Sequence, residues 1–150
     1  MTTPLLATKL YVPPTRPELV PRPRLTERIN AGSQGKLTVV SAPAGFGKTT
    51  LPSKWVQVSE RPFAWVSLDE GDNELVRFLT YLIAALQGID EGIGVDAQAA
   101  LGAPQAPPVE TLLTMLINDI AAFEDELTLI LDDRHCRCHM TLISANRIET

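Results

Sequence analysis

The stretch Thr38 to Leu51, TVVSAPAGFGKTTL, runs apolar up to Ser41 and passes through Gly45 and Gly47. It then reaches Lys48, Thr49 and Thr50 before apolar residues resume. A strand, a glycine-rich loop and a helix start, in that order, are the parts of a phosphate cradle. Backbone N–H groups of the loop and the first helical turn point at the phosphates, and the helix dipole adds its positive end. The cradle spans Pro43, Ala44, Gly45, Phe46, Gly47, Lys48, Thr49 and Thr50. In such a loop Lys48 reaches the β- and γ-phosphates of a nucleotide such as ATP, and the Thr49 hydroxyl holds Mg²⁺. The strict pattern opens on Gly where this chain has Ala42. Pro43 pushes the residue before it toward extended geometry, which Ala adopts without strain.

A phosphate loop alone leaves the metal half held, so a carboxylate should follow a second buried strand. LTLILDD, Leu127 to Asp133, provides one: Asp132 would orient Mg²⁺ and Asp133 would polarise the attacking water. Lys48 and Asp133 are thus the catalytic candidates, and Thr49 and Asp132 the metal candidates. The bland alternatives are a surface turn for Gly-Lys-Thr and a solvated strand end for Asp-Asp. Trp55 and Trp65 read as core rather than as stacking platforms for a base. Arg22 or Arg16 could contact adenine or phosphate, or simply be solvated. Asp69, Glu70 and Asp72 lie after a strand, on the expected ligand edge, and read equally well as helix-capping charge. His135, Cys136, Cys138 and His139 invite a zinc reading, but one residue separates the cysteines where structural zinc sites leave two to four.

These residues need a scaffold. The chain has 150 residues, 45% of them hydrophobic and 21% charged, which suits one ordinary domain with its own core. A net charge of -5 without a basic stripe argues against a direct grip on nucleic acid. No stretch has the length of apolar residues that a membrane span requires, and no secretory leader is recognisable, so a cytoplasmic chain is expected. Residues 1–25 read as an extended Pro/Arg arm. A short helix is expected over Leu25 to Gly32 with Thr26 as its cap, then a strand in KLTVVSA. A helix from Thr49 to Val58 must accommodate Pro52, and a strand follows over Pro62 to Leu68.

Leu75, Phe78, Leu79, Leu82, Ile83 and Leu86 mark an amphipathic helix, with Asp72 or Asn73 as cap and Gly88 as terminator. Val95 to Leu101 suggests a short helix, and Leu113, Leu116, Ile117 and Ile120 mark another before LTLILDD. The order implies an α/β fold: three layers, a parallel sheet and helical crossovers.

LLATKLYVPPTRPELVPRPRLTERI, KLTVVSAPAGFGKTTL, FAWVSLDEGDNELVRFLTYLIAALQ and LTLILDD together resemble the N-terminal end of the MalT-like, LuxR-type large ATP-binding transcriptional regulators, a group of STAND P-loop ATPases. The resemblance implies an AAA-like P-loop NTPase with Walker A and Walker B segments, binding ATP or ADP with Mg²⁺. It implies a switch in signal transduction: inducer and ATP convert a resting monomer into an oligomer that activates transcription, and slow hydrolysis resets it. The arm before the phosphate loop helps enclose the nucleotide in such proteins, which directs attention to Val20 to Arg22.

Two departures matter. Pro52 stands where Leu is usual, and after Asp133 an aromatic-His continuation is replaced by Arg134 and the sequence CRCHMTLISANRIET. MTLISA is strand-like, but residues 134–139 are too few for a parallel crossover, so it is not expected as the next parallel neighbour. The expected division is an arm at 1–25, a partial NTPase core at 26–133, incomplete at its C-terminal side, and an atypical, out-of-frame tail at 134–150. Such a fragment would have little or no turnover, and inducer and DNA would be reached only through domains not present. The rival readings are a small stand-alone P-loop NTPase or kinase, and a truncated interaction module that self-associates with full-length relatives.

Overall fold

The computed structural model describes residues 5–14, 23–32, 37–41, 50–133 and 139–145. The side chains of 37–41, 50, 51, 58, 133 and 139–145 lie outside that description. Five α-helices and four strands are seen among the described residues: α1 (Pro23–Gly32), β1 (Leu37–Ser41), α2 (Thr50–Val58), β2 (Phe63–Leu68), α3 (Leu75–Gln87), α4 (Val95–Leu101), α5 (Val109–Ala122), β3 (Leu127–Asp133) and β4 (His139–Ala145). Two 3₁₀ turns, Ala7–Leu10 and Glu70–Asn73, complete the set.

The strands form a four-stranded sheet in the order β1-β4-β3-β2. β2 and β3 pair in parallel, with Phe63 beside Thr128 and Ser67 beside Asp132. β4 lies between β3 and β1 and is antiparallel to both. The expectation of an all-parallel sheet is therefore corrected to a mixed one. The physical reason is chain length: β4 follows β3 after residues 134–138, a stretch that permits a hairpin but not a helical crossover. Because β1 and β3 both oppose β4, they run in the same direction, and the carboxyl ends of β1, β2 and β3 share one edge of the sheet.

Helices cover both faces, giving three layers. On one side Ala64 and Val66 of β2 and Leu127 and Leu129 of β3 pack with Leu79, Leu82, Ile83 and Leu86 of α3 and Leu112 and Leu116 of α5. On the other, Trp65 and Ile130 pack with Ile29 of α1 and Trp55 and Val56 of α2. Strands buried on both faces are uniformly apolar, as FAWVSL and LTLIL are. Each of the buried Leu and Ile side chains contributes about 1.5–3 kcal/mol of transfer free energy.

Several local readings shift. α1 begins at Pro23, not Leu25, because proline's fixed φ and missing N–H suit a first helical turn. Thr26 therefore lies inside the helix. Residues 7–10 of the arm form a 3₁₀ turn rather than extended chain. Asp69 is the N-cap of the turn before α3, with Asp72 as its capping-box partner, and α3 starts after Glu74 without a side-chain cap, so neither Asp72 nor Asn73 caps it. In α5 the buried positions are Leu112 and Leu116, while Leu113 and Ile117 are exposed. Pro52 is the third residue of α2, where its nitrogen belongs to the donors without intrahelical partners, and it is fully buried. Gly94, before α4, has φ 76°, and a Cβ there would lie 3.0 Å from Ile83 Cγ2 and 3.1 Å from Leu116 Cδ2. Only glycine satisfies both the left-handed backbone and that close approach.

Candidate functional site

Asp132 is the penultimate residue of β3 and has no exposed surface. Strand alternation places it on the same face as Thr128 and Ile130, toward α1 and α2. It is flanked in register by Ser67 on β2 and Met140 on β4. A carboxylate withdrawn from water at a strand end is costly unless paired with a cation or donors. The neighbouring Ser67 is also buried, and its Oγ accepts a hydrogen bond from Trp65 Nε1 at 3.1 Å.

β1 ends at Ser41 and α2 begins at Thr50, so the glycine-rich stretch joins a strand to a helix. Ala42, Pro43, Ala44, Gly45, Phe46, Gly47, Lys48 and Thr49 themselves lie outside the described residues, as do Arg16 and Arg22. Thr50 opens α2 and Asp133 closes β3, with their side chains likewise outside the description. β4 separates β1 from β3, so the two strand ends are two spacings apart, about 10 Å. α2, which follows that stretch, is anchored to α1: Trp55 is fully buried, and its Nε1 donates to Asn30 Oδ1 at 2.6 Å.

His135, Cys136 and Cys138 also fall outside the described residues, as does the His139 side chain. Among the described residues no cluster of His, Cys, Asp or Glu suited to a metal is present. Nor, among them, is any helix long and apolar enough to cross a membrane.

A second assembly closes the carboxyl end of β2, and sequence reasoning did not foresee it. Asp69 and Asp72 form a capping box: Gly71 N–H donates to Asp69 Oδ1 at 2.9 Å, and Asp69 N–H donates to Asp72 Oδ2 at 2.7 Å. Into this acidic pair reaches Lys9 of the arm, only 5% exposed. Its Nζ donates to Asp69 Oδ2 at 3.2 Å and, at short range, to Asp72 Oδ2. The same Nζ stands 4.4 Å from the centroid of the Tyr81 ring. Arg77 approaches from solvent, with Nε 3.3 Å from Asp72 Oδ1 and a terminal nitrogen 3.5 Å from Asp69 Oδ1. Leu6 N–H donates to the Tyr81 hydroxyl at 3.0 Å.

Desolvation acts to raise the Asp69 pKa, but the hydrogen bonds from Lys9 and Gly71 and the charges of Lys9 and Arg77 outweigh it and hold the carboxyl below its ordinary value. The capping box was readable as Asp-x-x-Asp after a strand. The lysine partner was not, because no local pattern links Lys9 to residues some sixty positions away. Between arm and strand end lies a cavity of about 450 Å³, lined among others by Val12, Pro13, Pro14, Ser67 and Asp69.

The fold is thus an α/β domain in which β1 and α2 flank the glycine-rich stretch and a buried acid lies near the end of β3. No family model matches the chain. Over 131 residues, 87% of its length, it is 36% identical to the HTH-type transcriptional regulator MalT of Cronobacter sakazakii (strain ATCC BAA-894). The chain is therefore related to a transcriptional regulator of the MalT kind. The aligned stretch is 14% of that regulator's length.

Proposed function

We propose that this chain is the nucleotide-binding part of a signal-responsive transcriptional regulator, taking ATP with Mg²⁺ on the edge where Gly45–Thr50 and Asp132 meet. The observation that carries the reading is the buried Asp132 at the carboxyl end of β3. It lies on the same sheet edge as the point where β1 passes into the glycine-rich stretch. In open α/β sheets that edge is where ligands bind. The relation to MalT supports the regulatory context.

The donor chemistry fits magnesium. A hard cation takes oxygen ligands, and a buried carboxylate with a threonine hydroxyl offers them. Asp132 and Thr49 would hold the ion, which when bound neutralises phosphate oxygens. The protein's own work is positioning. Backbone N–H groups of residues 44–49 cradle the phosphates, the Lys48 ammonium takes their outer oxygens, and Asp133 orients water for slow hydrolysis. The STAND-type switch, with oligomerisation, inducer and DNA reached through other parts of such a regulator, belongs to this proposal. So does a role for Arg22 beside the nucleotide.

The test is a titration of the chain with ATP, with Mg²⁺ and with chelator, against Lys48→Ala. Magnesium-dependent binding that disappears in the variant supports the site. A variant that binds as well as the parent overturns it.

A further inference from the structure

Charge is divided unevenly along the chain. Residues 78–133 hold ten Asp and Glu residues and no Lys or Arg, whereas ten of the thirteen basic residues precede them. That stretch builds α4, α5 and most of α3, so the helices on one face of the sheet present charge of a single sign. Asp96 on α4, Glu110 on α5 and Glu124 and Asp125 just after it are exposed, and none of them has an ion-pair partner among the described residues. An ordinary solvated helix mixes both signs, with carboxylates and bases one turn apart. α5 instead sets Leu113 and Ile117, 40% and 63% exposed, one turn apart on its outer side. Ala121, a further turn on, is exposed as well, and Glu110 and Glu124 bracket the stripe. Leu112 and Leu116 already hold α5 to the core, so the outer pair adds nothing to that packing. Val95 of the neighbouring α4 is also half exposed. Apolar surface left in water gains free energy when a partner covers it.

We propose that the outer face of α5, centred on Leu113 and Ile117, docks a basic amphipathic helix of a partner protein. The stripe supplies apolar anchors at a spacing that a helix matches, and the surrounding carboxylates take the partner's Lys and Arg side chains. A layer of one sign also steers such a partner inward and repels acidic ones. The proposal does not rest on the nucleotide reading. A second copy of the chain is the poorer occupant, because several of its own bases are already engaged: Lys9 and Arg77 with Asp69 and Asp72, and Arg61 with Glu126.

The probe is a labelled synthetic helical peptide with leucines on one face and lysines elsewhere, titrated with the full chain and followed by fluorescence anisotropy. Its counterpart carries glutamate in place of lysine. The lysine peptide is expected to bind saturably, one per chain, and more weakly as salt rises, and the glutamate peptide not to bind. Ile117→Asp separates docking from loose charge attraction, because it adds a carboxylate while it removes an anchor. Affinity for the lysine peptide should fall by on the order of tenfold in that variant. Val76→Asp adds the same charge at another exposed apolar position, on α3, and should not weaken binding. If Ile117→Asp fails to fold, Ile117→Gln is expected to weaken binding several-fold. Binding that is equal or tighter in the folded Ile117 variant overturns the proposal, as does equal binding of the glutamate peptide or no binding of the lysine peptide. Sedimentation of parent and variant covers the other occupant: a parent dimer that Ile117→Asp abolishes would make the stripe a self-association surface and overturn the assignment to a basic helix.

Discussion

Replacing Asp132 by Asn separates a functional acid from a structural one. The side chain is fully buried, so the isosteric change opens no cavity; it removes the charge and turns one acceptor oxygen into a donor. Asp132 interacts with its surroundings in the folded chain, and weakening that interaction by about 1 kcal/mol lowers the thermal midpoint of a chain this long by about 2–4 °C. A midpoint between unchanged and about 4 °C lower is therefore expected. Affinity should fall further. Interactions with a charged group contribute about 1.5–3 kcal/mol, which corresponds to a ten- to hundredfold loss in magnesium-dependent ATP affinity. Affinity in chelator should hardly change. Calorimetric titration with and without Mg²⁺, paired with thermal melts of both proteins, reads all three quantities. A midpoint lowered by more than about 5 °C, with magnesium-dependent affinity intact, would show Asp132 to be a structural acceptor and refute the reasoning.

Gly94→Ala forces a left-handed backbone on a residue with a Cβ and drives that atom toward Ile83 and Leu116. About 2–4 kcal/mol of destabilisation is expected in urea unfolding, summing the backbone and overpacking costs. Leu142→Pro interrupts β4, whose residue 142 pairs with Thr38 on one side and Ile130 on the other. Among the described strands β4 alone joins β1 to the β2–β3 pair. The variant should lose the single cooperative unfolding transition, visible as a melt that spreads or splits, and a melt matching the parent's would count against the sheet order. Because the Asp69 carboxyl is held below its ordinary value, its contribution is complete above about pH 4 and is lost as pH falls through the lower folded value. The stability gap between parent and Asp69→Asn should hold constant from pH 7 to about 4 and close at lower pH. A gap that vanishes already near pH 6 would contradict the ion-pair assignment.

The fold was legible where the chain's periodicity is strong. FAWVSL and LTLIL announce strands buried on both faces, and Leu79, Leu82, Ile83 and Leu86 fix the inner face of α3. It was less legible where two faces compete. In α5 the apolar residues at 112, 113, 116 and 117 allow two stripes a residue apart, and only packing selects Leu112 and Leu116. The antiparallel entry of β4 follows from the short stretch after Asp133, but its place between β1 and β3 is a long-range choice that no local pattern encodes. Of the proposed site, LTLILDD singled out Asp132 as a candidate, and what the structure adds is its burial, which sets it apart from the solvated strand end that such a pair could equally be. Lys9 was not readable, since a lone lysine in a proline-rich arm looks solvated until its carboxylates are brought to it. Asp69 and Asp72 read equally as ligand-edge acids and as capping charge; in the structure they form a capping box, and Asp72 Oδ2 accepts from both the Asp69 N–H and Lys9.

The most direct measurement is a crystal structure of the chain with Mg²⁺ and a non-hydrolysable ATP analogue. The account expects the phosphates against the amides of residues 44–49 with Lys48 on their outer oxygens, and the metal between Thr49 and Asp132. Nucleotide bound elsewhere, such as in the cavity beneath the arm with Lys48 and Asp132 uninvolved, would contradict it.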